Sequence, residues 1–232
     1  HIECSAMAEK HLGPSFDIHG GGIDLVFPHH ENERAQSCCG HDVAELATVW
    51  MHNGFLQVEG EKMSKSLGNF ITINQLLTTD TFGGQAWHGK VLRFAMLTTQ
   101  YRQPIDWTAE RLTQARAPLS DFSDLVHGQP AADAPYEEIV DALRDDLNTP
   151  RAISILHGLA KSAKRGNAEQ TAALKASLQF LGVYDNETRA DFRKGPAALV
   201  DDTAEIDALI AERLIARGRK DFAESDRIRD LL

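Results

Sequence analysis

The 232 residues carry a formal net charge of −10, 24 Lys and Arg against 34 Asp and Glu, and 42% of them are hydrophobic. That length and apolar content support one large or two modest cores, and three cysteines in no paired pattern exclude a secreted disulfide scaffold. No apolar run of about 18 residues and no signal-like N-terminus occurs, so neither a membrane nor export is expected and a cytoplasmic setting is.

Residues 1 to about 103 alternate short apolar stretches with turns, the pattern of an α/β fold. Cys4 lies in the opening segment, and His19 precedes Gly20-Gly21-Gly22-Ile23-Asp24. Three consecutive glycines let a backbone approach a ligand closely, or simply turn. They do not form the dinucleotide fingerprint, whose glycines are spread over about six positions. Pro28 suits a helix start, where its missing N–H needs no partner. From there the residues read as helix, which puts His29 and Glu33 at i and i+4 on one face. An imidazole and a carboxylate at that spacing can grip one divalent metal, with the Cys4 thiolate as a third ligand. His30 pairs with Arg34 at the same spacing and is the poorer candidate. One sulfur among three ligands points to zinc with an open position, the arrangement of a catalytic or substrate-binding site. The plainer alternatives are a small buried apolar cysteine and a solvated helix face.

Val49–Asn53 reads as a strand leading into a short hairpin. Behind it Glu61-Lys62-Met63-Ser64-Lys65-Ser66-Leu67-Gly68-Asn69 sets two lysines among small hydroxyl residues, with a Gly-Asn turn following. Such a loop can lay charge and donors against phosphate, where charge-assisted bonds are strong and a Lys ammonium is a movable point charge. Cys38 and Cys39 are adjacent, and a disulfide between neighbours is strained, so they read as ordinary thiols. Between Ile71 and Tyr101 helical stretches are expected, with Val91, Leu92, Ala95, Met96 and Thr99 on one face; Thr81–Gly89 has no functional reading.

From Pro104 the chain turns helical. Leu112, Ala115, Leu119, Phe122 and Val126 form a core-facing stripe, which Pro118 should kink or interrupt. Gln129–Pro135 is a loop. Tyr136, Ile139, Val140, Leu143 and Leu147 make the next stripe. Thr149 as cap and Pro150 at the first helical position start another, with Ile153, Leu156, Ala160 and Ala163 inward. Ala168–Leu181 is stopped by Gly182. These helices read as an antiparallel bundle. Asp185–Pro196 reads as a linker, Ile206, Ile210 and Leu214 line a helix ending near Gly218, and Asp221 with Glu224 caps a last helix carrying Ile228 and Leu231. Basic clusters at Arg111–Arg116, Lys161–Arg165 and Arg213–Lys220 are the places to consider for RNA, against an acidic background.

The order of these pieces, with Trp50-Met51-His52-Asn53-Gly54-Phe55, Asp145-Asp146-Leu147-Asn148-Thr149-Pro150 and Asp221–Arg229, resembles cysteinyl-tRNA synthetase, a class I aminoacyl-tRNA synthetase. The resemblance spans the chain and is most specific over the first 70 residues or so. It implies the C-terminal half of a class I Rossmann-like catalytic fold at 1–103, including the stem-contact region. A tRNA-binding antiparallel bundle at 104–186 and a linker with an anticodon-recognising helical segment at 187–232 would follow. Cys4, His29 and Glu33 then match three of four zinc ligands, the zinc binding the substrate cysteine's thiolate; a soft-leaning ion prefers sulfur to a serine hydroxyl. His19 matches a residue beside that pocket, orienting a ligand or the substrate. Gly20, Gly22 and Asp24 match the adenosine-pocket stretch, Lys65 binds ATP phosphate and Lys62 belongs to the same loop. The implied reactants are ATP with magnesium, L-cysteine and tRNA(Cys), with about one zinc per complete monomeric chain.

The sequence departs from the family in having no His-Ile-Gly-His type motif and no fourth ligand cysteine. The chain therefore reads as starting in mid-domain, with its C-terminus also cut short, and these 232 residues alone are expected not to activate cysteine. Two rival readings are a ligase of the same ancestry that joins cysteine to an amino sugar in mycothiol synthesis, and a non-catalytic RNA-binding paralogue.

Overall fold

A computed structural model describes residues 1–64, 66–185, 192, 203–219 and 221–229, the side chains of 203–208 aside. Two strands, β1 (Phe16–Gly22) and β2 (Ala47–Asn53), pair in parallel with Phe16 opposite Ala47 and Gly22 opposite Asn53. Parallel neighbours need a crossover. Here it runs through a 3-10 turn (Ile23–Leu25), a π-helical turn (Val26–His30) and α2 (Glu31–His41). Regular helix thus begins later than Pro28, because Phe27 takes extended backbone (φ −139°, ψ 134°) inside the π-helical turn. The preceding helix α1 (Ile2–Leu12) lies on α2, where Ser5 Oγ donates to Gln36 Oε1 at 2.8 Å and Glu9 meets His41 at 3.4 Å.

A second sheet has the order β4-β3-β5. β3 (Leu56–Val58) and β4 (Glu61–Lys62) form a hairpin whose turn residues Glu59 and Gly60 both have positive φ (50° and 81°), as a right-twisting two-residue hairpin demands. The third strand, β5 (Ile105–Trp107), runs parallel to β3. The chain therefore does not turn helical at Pro104: Ile105 N donates to Phe55 O at 2.9 Å, and helix waits for the Thr108 cap.

Between the sheets and the bundle stand α3 (Ile73–Thr78), closed by a Thr72–Gln75 capping box, and α4 (Gly89–Leu97), capped by His88. Val91, Leu92, Phe94 and Ala95 of α4 are buried, while Met96, expected inward, is 60% exposed. The 81–89 stretch has a structural use. Trp87 is 2% exposed and its indole N–H donates to Phe82 O at 2.8 Å, satisfying its one polar group inside the core.

The bundle comprises α5 (Ala109–Val126), α6 (Glu137–Arg144), α7 (Thr149–Ala163) and α8 (Ala168–Phe180). All five residues of the α5 stripe are buried, and the helix runs through Pro118 without interruption. Pro118 lacks one backbone donor, but the buried side chains on both sides of it hold the helix together. On α6, Ile139 and Ala142 are buried; Leu147 lies beyond the helix end and is 45% exposed. The cap of α7 is Asn148, whose side chain accepts from Arg151 N at 3.2 Å, so Thr149 is the first helical residue rather than the cap. The α7 stripe is buried as expected, and Gly182 (φ +69°) follows α8. A continuous apolar core joins Trp87, Phe94 and Trp107 to Leu112, Leu156, Leu174 and Leu178.

Two further helices, α9 (Thr203–Gly218) and α10 (Phe222–Arg229), pack on each other. Asp221 Oδ1 accepts from Glu224 N at 3.1 Å and Ile228 is buried. Ile210 and Leu214 are exposed, so the expected stripe is not a buried one there. The side chain of Ile206, most of the 185–196 linker, Lys220 and Leu231 lie outside the described residues.

Candidate functional site

Packing α1 on α2 carries Cys4 to the residues that helical spacing already placed together. One donor atom from each of Cys4, His29 and Glu33 falls within 4.8 Å of the others. Glu33 is only 2% exposed. Its Oε1 lies 2.6 Å from His29 Nε2, while Oε2 lies 2.9 Å from His19 Nε2 without hydrogen-bond geometry and so has no hydrogen-bond partner. A buried carboxylate oxygen in that state costs folding free energy unless something polar or charged meets it. On its other side the His29 ring meets His1, Nδ1 to Nδ1 at 3.0 Å.

Behind these groups lies an imidazole cluster that sequence spacing did not reveal. His30 is buried and its Nδ1 is 2.8 Å from His52 Nε2 on β2; it makes no pair with Arg34, which instead faces Glu31 at 3.8 Å. His19 stands edge-on to His30, ring centroids 4.6 Å apart, and 4.7 Å from Trp50. Trp50 and His52 are two apart on one strand and so share a face, with rings 7° from parallel. That period-two signal was present in the sequence. Burial, then neighbouring His19, pushes the His30 imidazole below its usual range, with only Glu33 opposing. His19, His30 and Glu33 form a second group able to converge on a cation, sharing Glu33 with the first.

Of the three glycines, Gly21 has a steric purpose. Gly20–Gly22 are the end of β1 rather than a turn, paired with Met51–Asn53. A Cβ on Gly21 would come 2.8 Å from His30 Cε1, and one on Gly22 2.4 Å from Asp24 Oδ1. Asp24 is exposed in the 3-10 turn that follows.

Lys62 ends the β3–β4 hairpin and is exposed. The loop after it is closed by Asn69, whose Oδ1 accepts from Ser64 N at 2.8 Å and whose Nδ2 donates to Lys62 O at 3.2 Å. Ser64 Oγ also accepts from Leu67 N at 3.2 Å. Lys65 lies outside the described residues. Of the basic clusters, the first is largely internal. Arg111 donates to Thr98 and Thr99 hydroxyls, and Arg116 donates to Gln85 and lies 5.4 Å from the Trp87 ring centre. Cys38 is half-buried and Cys39 exposed, both free.

A parallel strand pair with its crossover helix, an acidic, thiol and imidazole cluster at its edge and a lysine loop after the next hairpin define a class of protein. The chain belongs to the class I tRNA synthetase (C) catalytic-domain family, whose pattern matches residues 1–117, and residues 138–184 match the DALR domain.

Its relatives are more particular. The chain is 56% identical over 236 residues to a cysteine–tRNA ligase of Rhodopseudomonas palustris (strain BisA53), covering 100% of this chain and 46% of that protein. Against the cysteine–tRNA ligases of Bradyrhizobium sp. (strain BTAi1) and Methylocella silvestris the identities are 53% over 237 and 55% over 232 residues. Both matches cover 100% of this chain, and 48% and 49% of those proteins. The chain thus spans about half the length of these curated relatives. Its fold also resembles the crystal structure of the ternary complex of Agrobacterium radiobacter K84 agnB2 LeuRS with tRNA and LeuAMS. That match has a TM-score of 0.51 and 18% identity, over 72% of this chain and 26% of that one. No described helix is long and apolar enough to cross a membrane.

Proposed function

We propose that these residues belong to an enzyme that attaches L-cysteine to tRNA(Cys) through a cysteinyl adenylate, consuming ATP with magnesium. The observation that carries the reading is the convergence of Cys4, His29 and the buried Glu33 beside β1, within a domain whose family is that of class I synthetases. Sulfur, imidazole and carboxylate are the donor types zinc takes, and the three donor atoms lie within 4.8 Å of one another, so small side-chain shifts would bring them onto one ion. Glu33 Oε2 is buried and accepts no hydrogen bond, which leaves an acceptor that a cation could meet beside His19. Zinc held there would bind the substrate's sulfur as thiolate and so select cysteine over serine.

The chain's own residues do the rest. His19, held against Trp50 and His30, orients Glu33 from the side away from His29. Gly20, Gly22 and Asp24 border the adenosine pocket, and Lys62 and Lys65 bring positive charge to the phosphates as the cysteine carboxylate attacks the α-phosphate, the bond to the β-phosphate breaks and pyrophosphate leaves. In this reading residues 1–103 form the catalytic unit, 104–186 the bundle that holds RNA, with β5 adding back onto the first unit's sheet, and 187–232 the anticodon-recognising end. The enzyme works as a cytoplasmic monomer.

The test uses the complete natural polypeptide that carries these residues. Cysteine-dependent exchange of pyrophosphate into ATP, with cysteine then delivered to tRNA, is the expected result. No exchange, or delivery to an amino sugar alone, overturns the reading.

A further inference from the structure

Among the described residues, only the Asp145–Pro150 stretch has two neighbouring non-glycine residues with positive φ. Asp146 and Leu147 are consecutive and both left-handed, with φ of 50° and 52°. Non-glycine residues take that conformation reluctantly, and two in a row persist only where their surroundings fix them. What fixes them comes from the segment after α4. Tyr101 Oη donates to Asp146 Oδ1 at 2.8 Å, and Arg102 reaches both carboxylate oxygens, Nη2 to Oδ1 at 3.2 Å and Nε to Oδ2 at 2.9 Å. Gln100 Nε2 donates to the Asp146 backbone carbonyl at 3.2 Å, and Thr149 Oγ1 to Thr99 O at 3.4 Å. The hydrogen bond from Tyr101 first, and then Arg102, hold the Asp146 carboxyl below its usual range against a smaller opposing effect of desolvation.

The far side of this segment leads to the site. Tyr101 O accepts from Gly54 N at 2.8 Å, and Gly54 sits so close that a Cβ on it would come 2.3 Å from the Gln103 carbonyl. Gly54 directly follows β2, the strand that carries Trp50 and His52. Beside the contact lies an apolar groove of about 580 Å³ lined by Met96, Leu97, Leu143, Leu147 and Phe180. The shared core holds α4 to the bundle, and at this edge, where the groove leaves space, the polar contacts add the register.

We infer that Asp146 is a positioning residue that pins the bundle to the 99–103 segment and, through Gly54, sets where the histidine-bearing sheet sits relative to the bundle. This rests on the proposed tRNA charging, and it divides the two half-reactions. Adenylate formation draws on the sheet, the metal cluster and the lysine loop and needs no RNA. Transfer needs one RNA held by the bundle while its end reaches the sheet. A misplacement of about 1 Å remote from the chemistry can cost on the order of a hundredfold.

The experiment compares wild type, Asp146→Ala, Asp146→Asn and the double variant Tyr101→Phe/Arg102→Gln in the complete natural polypeptide. It measures pyrophosphate exchange, tRNA charging and hydrogen exchange at the Gly54 amide. The Ala and double variants are expected to keep exchange within about twofold while kcat/KM for tRNA falls about tenfold or more. Gly54 should lose protection in both. Asp146→Asn, which tolerates left-handed backbone and keeps an acceptor for Tyr101, should recover much of the loss. Unchanged charging, an equal fall in both reactions, or unchanged Gly54 protection overturns the inference. A wild-type protein without cysteine-dependent exchange sinks the proposed function instead, and Gly54 protection then decides the coupling by itself.

Discussion

Replacing Gly54 with alanine is expected to damage this protein far more than a one-carbon change suggests. The new methyl would lie 2.3 Å from both the carbonyl carbon and the oxygen of Gln103, and 2.7 Å from Pro104 N. These are backbone atoms and cannot rotate away as a side chain would. The segment is also held on both sides, by Gly54 N to Tyr101 O at 2.8 Å and Ile105 N to Phe55 O at 2.9 Å. Relief requires a backbone shift of about 1 Å, which costs the strain of overpacking, about 1–3 kcal/mol, and weakens one of those hydrogen bonds, about 0.5–1.5 kcal/mol. The sum is about 1.5–4.5 kcal/mol. Urea unfolding followed by circular dichroism would measure it as a lower midpoint at unchanged slope. An alanine variant with the wild-type midpoint would refute the reasoning, because nothing else in the contact can absorb the methyl.

Gly158 in α7 offers the opposite case, since a Cβ there meets nothing within 4 Å. Gly158→Ala should stabilise by about 0.5–1 kcal/mol through helix propensity, and a lower urea midpoint would contradict this. His88 gives a pH dependence. Burial first, then nearby Lys90, pushes its imidazole below the ordinary value of about 6.5, against a smaller opposing effect of Asp185. The unfolded chain therefore takes up the proton before the folded one. This contribution to stability is complete above about pH 6.5 and is lost as pH falls from there towards the folded-state value. The Nδ1 of His88 accepts from Lys90 N at 3.1 Å, an N-cap bond that asparagine can also make. His88→Asn should therefore lose less stability than wild type between pH 7.5 and 5.5; equal losses would show that His88 does not titrate between the states.

The helical half was largely legible in sequence because its information is local. The stripe from Leu112 to Val126 and that of α7 needed only three-and-four spacing, and every residue named in them is buried. His29 and Glu33 were legible for the same reason. Cys4 was harder: twenty-five positions separate it from His29, and only the packing of α1 on α2 closes that distance. The His30–His52 contact depends on the strand register that sets Gly21 opposite His52, which no local spacing encodes. Helical spacing pairs His30 with Arg34 because spacing ignores burial, and a buried imidazole finds its partner inside. β5 leaves no mark in the sequence after Pro104, because a three-residue strand has no periodicity of its own and exists through β3. Asn148 displaced Thr149 as cap because the left-handed pair before it turns the chain one residue earlier.

The zinc content of the complete natural polypeptide, purified without added metal and measured by mass spectrometry of the elements, tests the central claim most directly. About one zinc per chain is expected in the wild type, and most of it should be lost in Cys4→Ser, because sulfur, imidazole and carboxylate bind the ion together. A metal-free wild type, or zinc retained equally when Cys4 is serine, would contradict the account.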